Sequence, residues 1–253
     1  MRRLLPILLL ALVLAACGGS KPAADVAGLA DASGRTVAAD TANFNLVIRG
    51  TVAGVSVRSS ETGSFSFTQQ QAHFYKLVPG GGLPQEIVLD GPITYTNANV
   101  DAALKDSSVR PWTKLDTRKL PASDRNSHPD ELAHVRAVAY LADGAADAKR
   151  IGVQTVDGEQ WTRFRGSVDP GGIGSNAPAS DRAALRAAVR NDYLATPFVA
   201  DFWLDESGRV RRVLVDYRTS GGGRIVVDGA FSDFGTKVDL TVPPAEDIQD
   251  ITP

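Results

Sequence analysis

The sequence contains few residues of the kinds that carry covalent or metal chemistry. Its 253 residues include one cysteine, so an intrachain disulfide is impossible. The three histidines are His73, His128 and His134, and none of them has a second histidine at the helical spacing of three or four that metal pairs use. Serine-nucleophile and phosphate-binding glycine motifs are also missing. We therefore expect that the protein is not an enzyme and that it binds neither a metal nor a cofactor.

The sequence also lacks an apolar run of transmembrane length, which is about 20 residues. Its longest run, 4–16, follows a cationic head at Arg2 and Arg3 and ends at the single cysteine, Cys17. This layout is typical of a secretory signal. The string Leu-Ala-Ala-Cys at 14–17 resembles the lipobox of bacterial lipoproteins, and the resemblance implies cleavage before Cys17 and acylation of its sulfur.

This reading divides the chain into three parts: a cleaved lipoprotein signal peptide at 1–16, a lipidated flexible tether at 17–28, and one domain at 29–253. The alternative is that Cys17 occurs by chance in an ordinary signal peptide, or that it is a free thiol. The lipobox reading implies export, with a lipid anchor on the outer face of the cell membrane, or on the outer membrane if the cell has two. Gly18 and Gly19 follow the cysteine and leave both membranes open.

Cationic surplus is absent as well. Without Arg2 and Arg3 the chain keeps 25 of its 27 Lys and Arg against 29 Asp and Glu, a net charge of −4. Nucleic-acid binding needs a basic surplus or stripe. We therefore expect no nucleic-acid partner.

Apolar residues alternate with polar ones through most of the remaining chain, which predicts half-buried antiparallel strands. Phe198 to Leu204 and Val210 to Tyr217 form one such pair around a turn at 205–208. A later stretch, 223–242, shows the same alternation and is predicted as strand. Together these segments predict a long antiparallel meander.

Two helices are predicted within this meander. The first begins near Ser127 or His128 and ends at Gly144. The second has Ser180 as its N-cap and ends before Pro197, with a row of arginines on one face. An antiparallel sheet with one face curled over two helices is an α+β fold.

The helix and strand order, the Trp203-Leu204-Asp205 hairpin with its Gly208 turn, and the segment from Phe234-Gly235 to Pro244 resemble the LolA-like superfamily. Within it they resemble the LppX and LprG type of lipid-binding bacterial lipoproteins. The resemblance covers nearly the whole chain after the signal. It implies a single open antiparallel half-barrel curled around two or more helices, with acyl chains held in between.

The inward positions could form either a filled core or a groove for acyl chains, and the sequence leaves both open. The candidates for a lipid cavity are the apolar residues at inward strand positions or on buried helix faces: Phe44, Leu46, Ile48, Val55, Val57, Phe65, Phe67, Leu132, Val135, Val138, Leu185, Val189, Phe202, Leu204, Val213 and Val215. The candidates for binding anionic head groups are Arg182, Arg186 and Arg190, although such a row is commonly a solvated helix face.

Two functions remain open at this point. The first is an anchored carrier that binds an acylated lipid or glycolipid and moves it between sites in the cell envelope, handing it to an unidentified transporter or acceptor protein. The second is an envelope stress sensor or protein-interaction module that uses the same half-barrel without transporting lipid. A solid core would favour the second.

Overall fold

The computed structural model describes residues 27–52, 54–77, 83–121, 132–145, 147–191, 197–218 and 223–253. The predicted signal peptide, Cys17 and most of the predicted tether lie outside these residues. The helices are α1 (Ala27–Ala30), α2 (Ala32–Val37), α3 (Val100–Ala103), α4 (Ala133–Tyr140) and α5 (Ala179–Asn191). No helix among the described residues is long and apolar enough to cross a membrane.

Among the described residues, twelve strands form one sheet. They are β1 (Thr41–Val52), β2 (Val55–Ser66), β3 (Gln71–Leu77), β4 (Gln85–Asp90), β5 (Ile93–Thr96), β6 (Trp112–Asp116), β7 (Lys149–Val156), β8 (Glu159–Val168), β9 (Phe198–Leu204), β10 (Val210–Arg218), β11 (Arg224–Ser232) and β12 (Ile248–Asp250). Their spatial order is β12-β6-β5-β4-β3-β2-β1-β11-β10-β9-β8-β7, so the two edge strands, β12 and β7, are each paired on one side. The predicted α+β fold with an open antiparallel sheet is confirmed.

The register of the sheet puts two meanders side by side. Strands β1 to β6 form the first and β7 to β11 the second, joined where Phe44 of β1 pairs with Phe231 of β11. Every pairing is antiparallel except that of β12 with β6. Side chains alternate across each strand, and the hydrophobic core cluster lies on one face of the sheet. We call this the concave face and the opposite one the outer face.

Helix α4 lies on the concave face, where it contacts β10 and α5. Its approach to the sheet is close at Gly229, because a Cβ on this residue would lie 2.7 Å from Cγ1 of Val138. Because residue 229 is a glycine, α4 packs directly against β11. The predicted first helix is correct in its buried face and its end, since a 3₁₀ turn, Leu141–Gly144, follows α4. Its predicted start lies outside the described residues.

The N-terminal helices α1 and α2 were not predicted, and residues 27 and 28 of the predicted tether belong to α1. Thr36 holds α2 against the sheet. Its Oγ1 donates to the carbonyl oxygen of Ala32 at 2.6 Å and accepts from the amide of Val210 at 2.8 Å. All three groups are buried, so this short helix is a fixed part of the domain.

The strand predicted over 223–242 is wrong beyond Ser232. The backbone takes positive φ angles of 46° at Asp233 and 82° at Gly235, which end the extended conformation. The chain then runs without a ladder to β12, fastened near its start by Thr41 Oγ1, which donates to the carbonyl oxygen of Thr236 at 2.6 Å. Ser180 is also not an N-cap, because α5 begins one residue earlier.

Candidate functional site

The concave face brings most of the predicted cavity residues together. Cross-strand pairs such as Phe44 with Phe231 and Phe202 with Val213 place their side chains on this side of the sheet. The predicted candidates that are at most 6% exposed are Phe44, Leu46, Phe65, Phe67, Leu132, Val135, Val138, Leu185, Phe202, Leu204, Val213 and Val215. They form one cluster with the inward side of α4 and α5.

Five phenylalanines fill the middle of this face. Phe65 lies 5.4 Å from Phe44, 4.5 Å from Phe67 and 5.9 Å from Phe231 between ring centroids, and Phe74 lies 5.8 Å from Phe44. These are ordinary distances for packed aromatic pairs. Phe74 and Phe231 were not among the predicted residues, although both alternate with polar neighbours in the sequence. The described middle of the concave face is therefore core.

The face continues past the helices as an apolar strip, which consists of Ile48, Val55, Val57 and Val227. Ile48 pairs with Val227 across β1 and β11, and β2 supplies the two other valines. Ile48, Val57 and Val227 are partly buried against the core, and Val55 at the hairpin tip is 65% exposed. Three predicted cavity residues, Ile48, Val55 and Val57, thus lie with Val227 at the end of the sheet where the concave face is less covered.

A polar cluster lies between the aromatic core and the apolar strip. Glu61, on the concave side of β2 opposite Leu46, is almost fully buried. Its Oε2 lies 2.6 Å from Nε2 of His134 on α4, and its Oε1 lies 3.1 Å from Nζ of Lys76 on β3. Burial alone would raise the pKa of Glu61, but the hydrogen bonds and charges of His134 and Lys76 outweigh it and lower that pKa. Glu61 is therefore held as a carboxylate.

Sequence analysis did not identify this polar cluster. Its signal is a charged residue at an inward position, since Glu61 occupies the same face as Val57 and Phe65. Buried carboxylates are rare unless paired, so such a position predicts a cationic partner. The partner on α4 is 73 residues away in sequence and could not be found by local pattern.

Two arginines of the predicted row make hydrogen bonds to backbone carbonyl groups, although Arg182 stays exposed. Nε of Arg182 donates to the carbonyl oxygen of Ala177 at 2.9 Å, and Nε of Arg186 donates to that of Ile173 at 3.5 Å. Both fasten α5 to the loop before it. The side chains of Arg190 and of the predicted cavity residue Val189 lie outside the described part of the chain.

Each of the two described histidines is paired with a carboxylate. His73 on the outer face lies 2.8 Å from Glu86, His134 belongs to the polar cluster, and His128 is not described. Among the described residues, no group of three or more His, Cys, Asp or Glu side chains could hold a metal ion.

Comparison with known proteins identifies the fold. No family model and no curated protein matches the chain in sequence. Solved structures do match in three dimensions, among them LppX and LprF. Lipoprotein LppX of Mycobacterium tuberculosis is 15% identical, with 88% of this chain and 100% of that chain covered and a TM-score of 0.53. LprF of Mycobacterium bovis is 14% identical, with 86% and 96% covered and a TM-score of 0.52.

The chain thus has an open antiparallel half-barrel fold curled around helices. More particularly, it shares the fold of LppX and LprF over nearly the whole described domain, as the resemblance to the LppX and LprG type implied. At these identities the likeness establishes the fold and leaves the ligand to be argued from the residues of this chain.

Proposed function

We propose that this protein is an exported, lipid-anchored lipoprotein that binds an acylated lipid on its concave face and carries it between sites in the cell envelope. The observation that carries the proposal is the apolar strip, which extends the concave face beyond the packed core in a fold shared with LppX and LprF. An apolar sheet face with incomplete cover is suited to an acyl chain.

Binding would use the strip and the polar cluster together. An acyl chain laid against Ile48, Val57 and Val227 is stabilised by about 0.8 kcal/mol for each methylene that leaves water. The polar end of the lipid would then lie beside Glu61, whose partners His134 and Lys76 supply hydrogen-bond donors. The mechanism is reversible burial and includes no catalytic step.

The anchor would be the acylated Cys17. Two or three chains hold a protein stably at a membrane, whereas one chain holds it only marginally. The domain starts near residue 27, so a linker of about ten residues would leave it free to reach ligands at the membrane surface.

A protein-interaction module without lipid transport is the second candidate. The observation that favours it is the aromatic packing of the middle of the concave face, where five phenylalanine rings leave the described core filled. In this alternative the strip would bind a partner protein.

The test is native mass spectrometry with lipid extraction on the chain from residue 18 onward, produced in a bacterial host and purified without detergent. We expect one acylated molecule per chain, released on denaturation. The variant Val57→Trp fills the strip and should lose this cargo. Its matched control is Arg58→Trp, the next residue of β2, which points to the outer face and should keep it.

A protein mass that stays bare after incubation with envelope lipids contradicts lipid carriage and leaves the interaction module. Equal loading of the two tryptophan variants contradicts the strip as the binding surface. Loss of cargo from both variants, with unfolding seen by circular dichroism, calls for the milder pair Val57→Phe and Arg58→Phe, judged by the same difference.

A further inference from the structure

The outer face carries a groove that the proposed lipid site does not use. Its volume is about 560 Å³, within the range of small-molecule sites. It crosses β3, β2, β1 and β11, which are adjacent in the sheet, so it spans three strand spacings, about 14 Å. We call it the outer groove.

Small polar side chains form the floor of the outer groove in two parallel rows. In one row Asn45 lies between Ala230 and Thr62, and in the other Asn43 lies between Ser232 and Ser64. The side chains of Asn45, Thr62 and Ser64 make no hydrogen bond to other groups in the described part of the chain. Asn43 and Ser232 donate to the carboxylate of Asp233, so the unoccupied donors and acceptors of the floor are those of Asn45, Thr62 and Ser64 on β1 and β2.

Aromatic side chains stand at both ends of this floor. His73 and Tyr75 form one wall, with ring centroids 5.7 Å apart, and Tyr75 is 45% exposed. Trp161 forms the other wall, with the guanidinium of Arg211 5.1 Å from its ring centroid. Nε of Arg211 is buried without a hydrogen-bond partner among the described residues.

The rest of the outer face is different. On the parts of β8 to β11 outside the groove, ion pairs occupy the surface, with Arg163 on Asp201 at 3.0 Å and Arg212 on Asp228 at 2.7 Å. Trp203 is sandwiched between these two arginines at 5.1 Å from each. The neighbouring strands of one continuous sheet thus have a closed ionic surface on one side and an open hydrogen-bonding groove on the other.

We propose that the outer groove binds a glycan, a chain of neutral hydroxyl-bearing rings. Hydroxyl groups act both as donors and as acceptors, as the asparagine, serine and threonine floor requires, and the apolar faces of sugar rings pack on aromatic side chains. An acyl chain would desolvate the polar floor without compensation.

Two other ligand classes fit less well. An extended peptide is commonly recognised by adding a strand to a sheet edge, but β1, β2, β3 and β11 are each paired on both sides. A polyanion needs several cations, and Arg211 is the single Arg or Lys among the lining residues, with the carboxylate of Glu159 3.4 Å away.

The test uses the mature lipidated chain in a detergent without a sugar head group, titrated by calorimetry with maltohexaose, cellohexaose, mannohexaose and chitohexaose, and with dextran sulfate as the anionic probe. We expect at least one neutral hexasaccharide to bind with a Kd of about 1 mM or tighter. Trp161→Ala should weaken this binding about tenfold. Thr62→Ala should weaken it about threefold to tenfold.

The matched control for Thr62→Ala is Ser60→Ala, two residues away on the same face of β2 and outside the groove, which should leave the Kd unchanged. The lipid-site variant Val57→Trp should also leave it unchanged, so the two proposals fail separately. The glycan proposal is overturned if no neutral probe binds more tightly than about 10 mM. Binding of dextran sulfate alone, or unchanged affinity in folded Trp161→Ala, overturns it equally.

Discussion

The polar cluster gives a prediction whose size follows from its geometry. Glu61→Gln keeps the shape of the side chain and removes its charge, so His134 and Lys76 would face a neutral amide. Removing one partner of a fully buried ion pair costs about 3–5 kcal/mol. The side chains of His134 and Lys76 are 22% and 29% exposed, so water recovers part of this loss. We expect Glu61→Gln to lower the free energy of unfolding by about 2–3 kcal/mol at pH 7.

The pH dependence has a definite sign. The folded-state pKa of Glu61 is lowered from its ordinary value of 4.5, so the carboxylate stabilises the fold fully above that value. The stabilisation is lost as the pH falls through the folded-state pKa. Urea unfolding at pH 7 should therefore show a large difference between wild type and Glu61→Gln, and unfolding below pH 4.5 a smaller one.

The control is Glu86→Gln, which breaks the outer-face pair with His73. The Glu86 side chain is 25% exposed against 6% for Glu61, and we expect a loss below about 1 kcal/mol. The reasoning is refuted if Glu61→Gln unfolds within about 0.5 kcal/mol of wild type at pH 7. It is refuted equally if the difference grows on acidification.

Two further variants test the packing of α4 on the concave face and the ion pairs of the outer face. Gly229→Ala should cost about 1–3 kcal/mol in urea unfolding, because the new methyl group overlaps Val138 on α4. The double variant with Val138→Ala should recover part of that loss, and strictly additive losses would contradict the close approach. Asp201→Asn should cost about 1–3 kcal/mol, since this buried carboxylate accepts hydrogen bonds from both Arg163 and Arg165. Unchanged thermal unfolding would show that the ionic surface contributes nothing.

The β9–β10 hairpin could be predicted because all its information is local. The apolar faces of β9 and β10 both lie on the concave side as expected, with one shift of register between Val210 and Arg212. The turn between them is set by Asp205, whose Oδ1 accepts from the amides of Ser207 and Arg209, both at 3.0 Å. Short-range hydrogen bonds of this kind are visible in the sequence as an Asp before a Gly turn.

Other parts depend on contacts that are distant in sequence. The segment after Ser232 alternates as a strand would, but positive φ at Asp233 and Gly235 turns it away from any partner. Helix α2 was not predicted from the sequence, because its apolar face is short. Its place in the core is decided by Thr36, which bonds to a strand 174 residues away.

The division of the concave face into core and strip could also not be predicted from the sequence. Leu46 and Ile48 are two residues apart on the same face of β1, yet only Leu46 is fully buried. The difference arises where α4 crosses the sheet, and that crossing depends on the missing side chain at Gly229. A periodic pattern gives the face that a residue occupies, whereas the helix position decides whether that face is covered.

The two proposed ligand sites lie on opposite faces of the same strands. We expect each site to bind its ligand independently of the other. On β2 the odd positions Val57 and Glu61 face the lipid strip and the polar cluster, while Thr62 and Ser64 face the outer groove. A paired strand in the middle of a sheet is stiff, because each backbone group is bonded on both sides. Occupying one face would therefore change the other little. Lipid loading that shifts glycan affinity would require β1 and β2 to move together, and the binding of each ligand in the presence of the other measures that coupling directly.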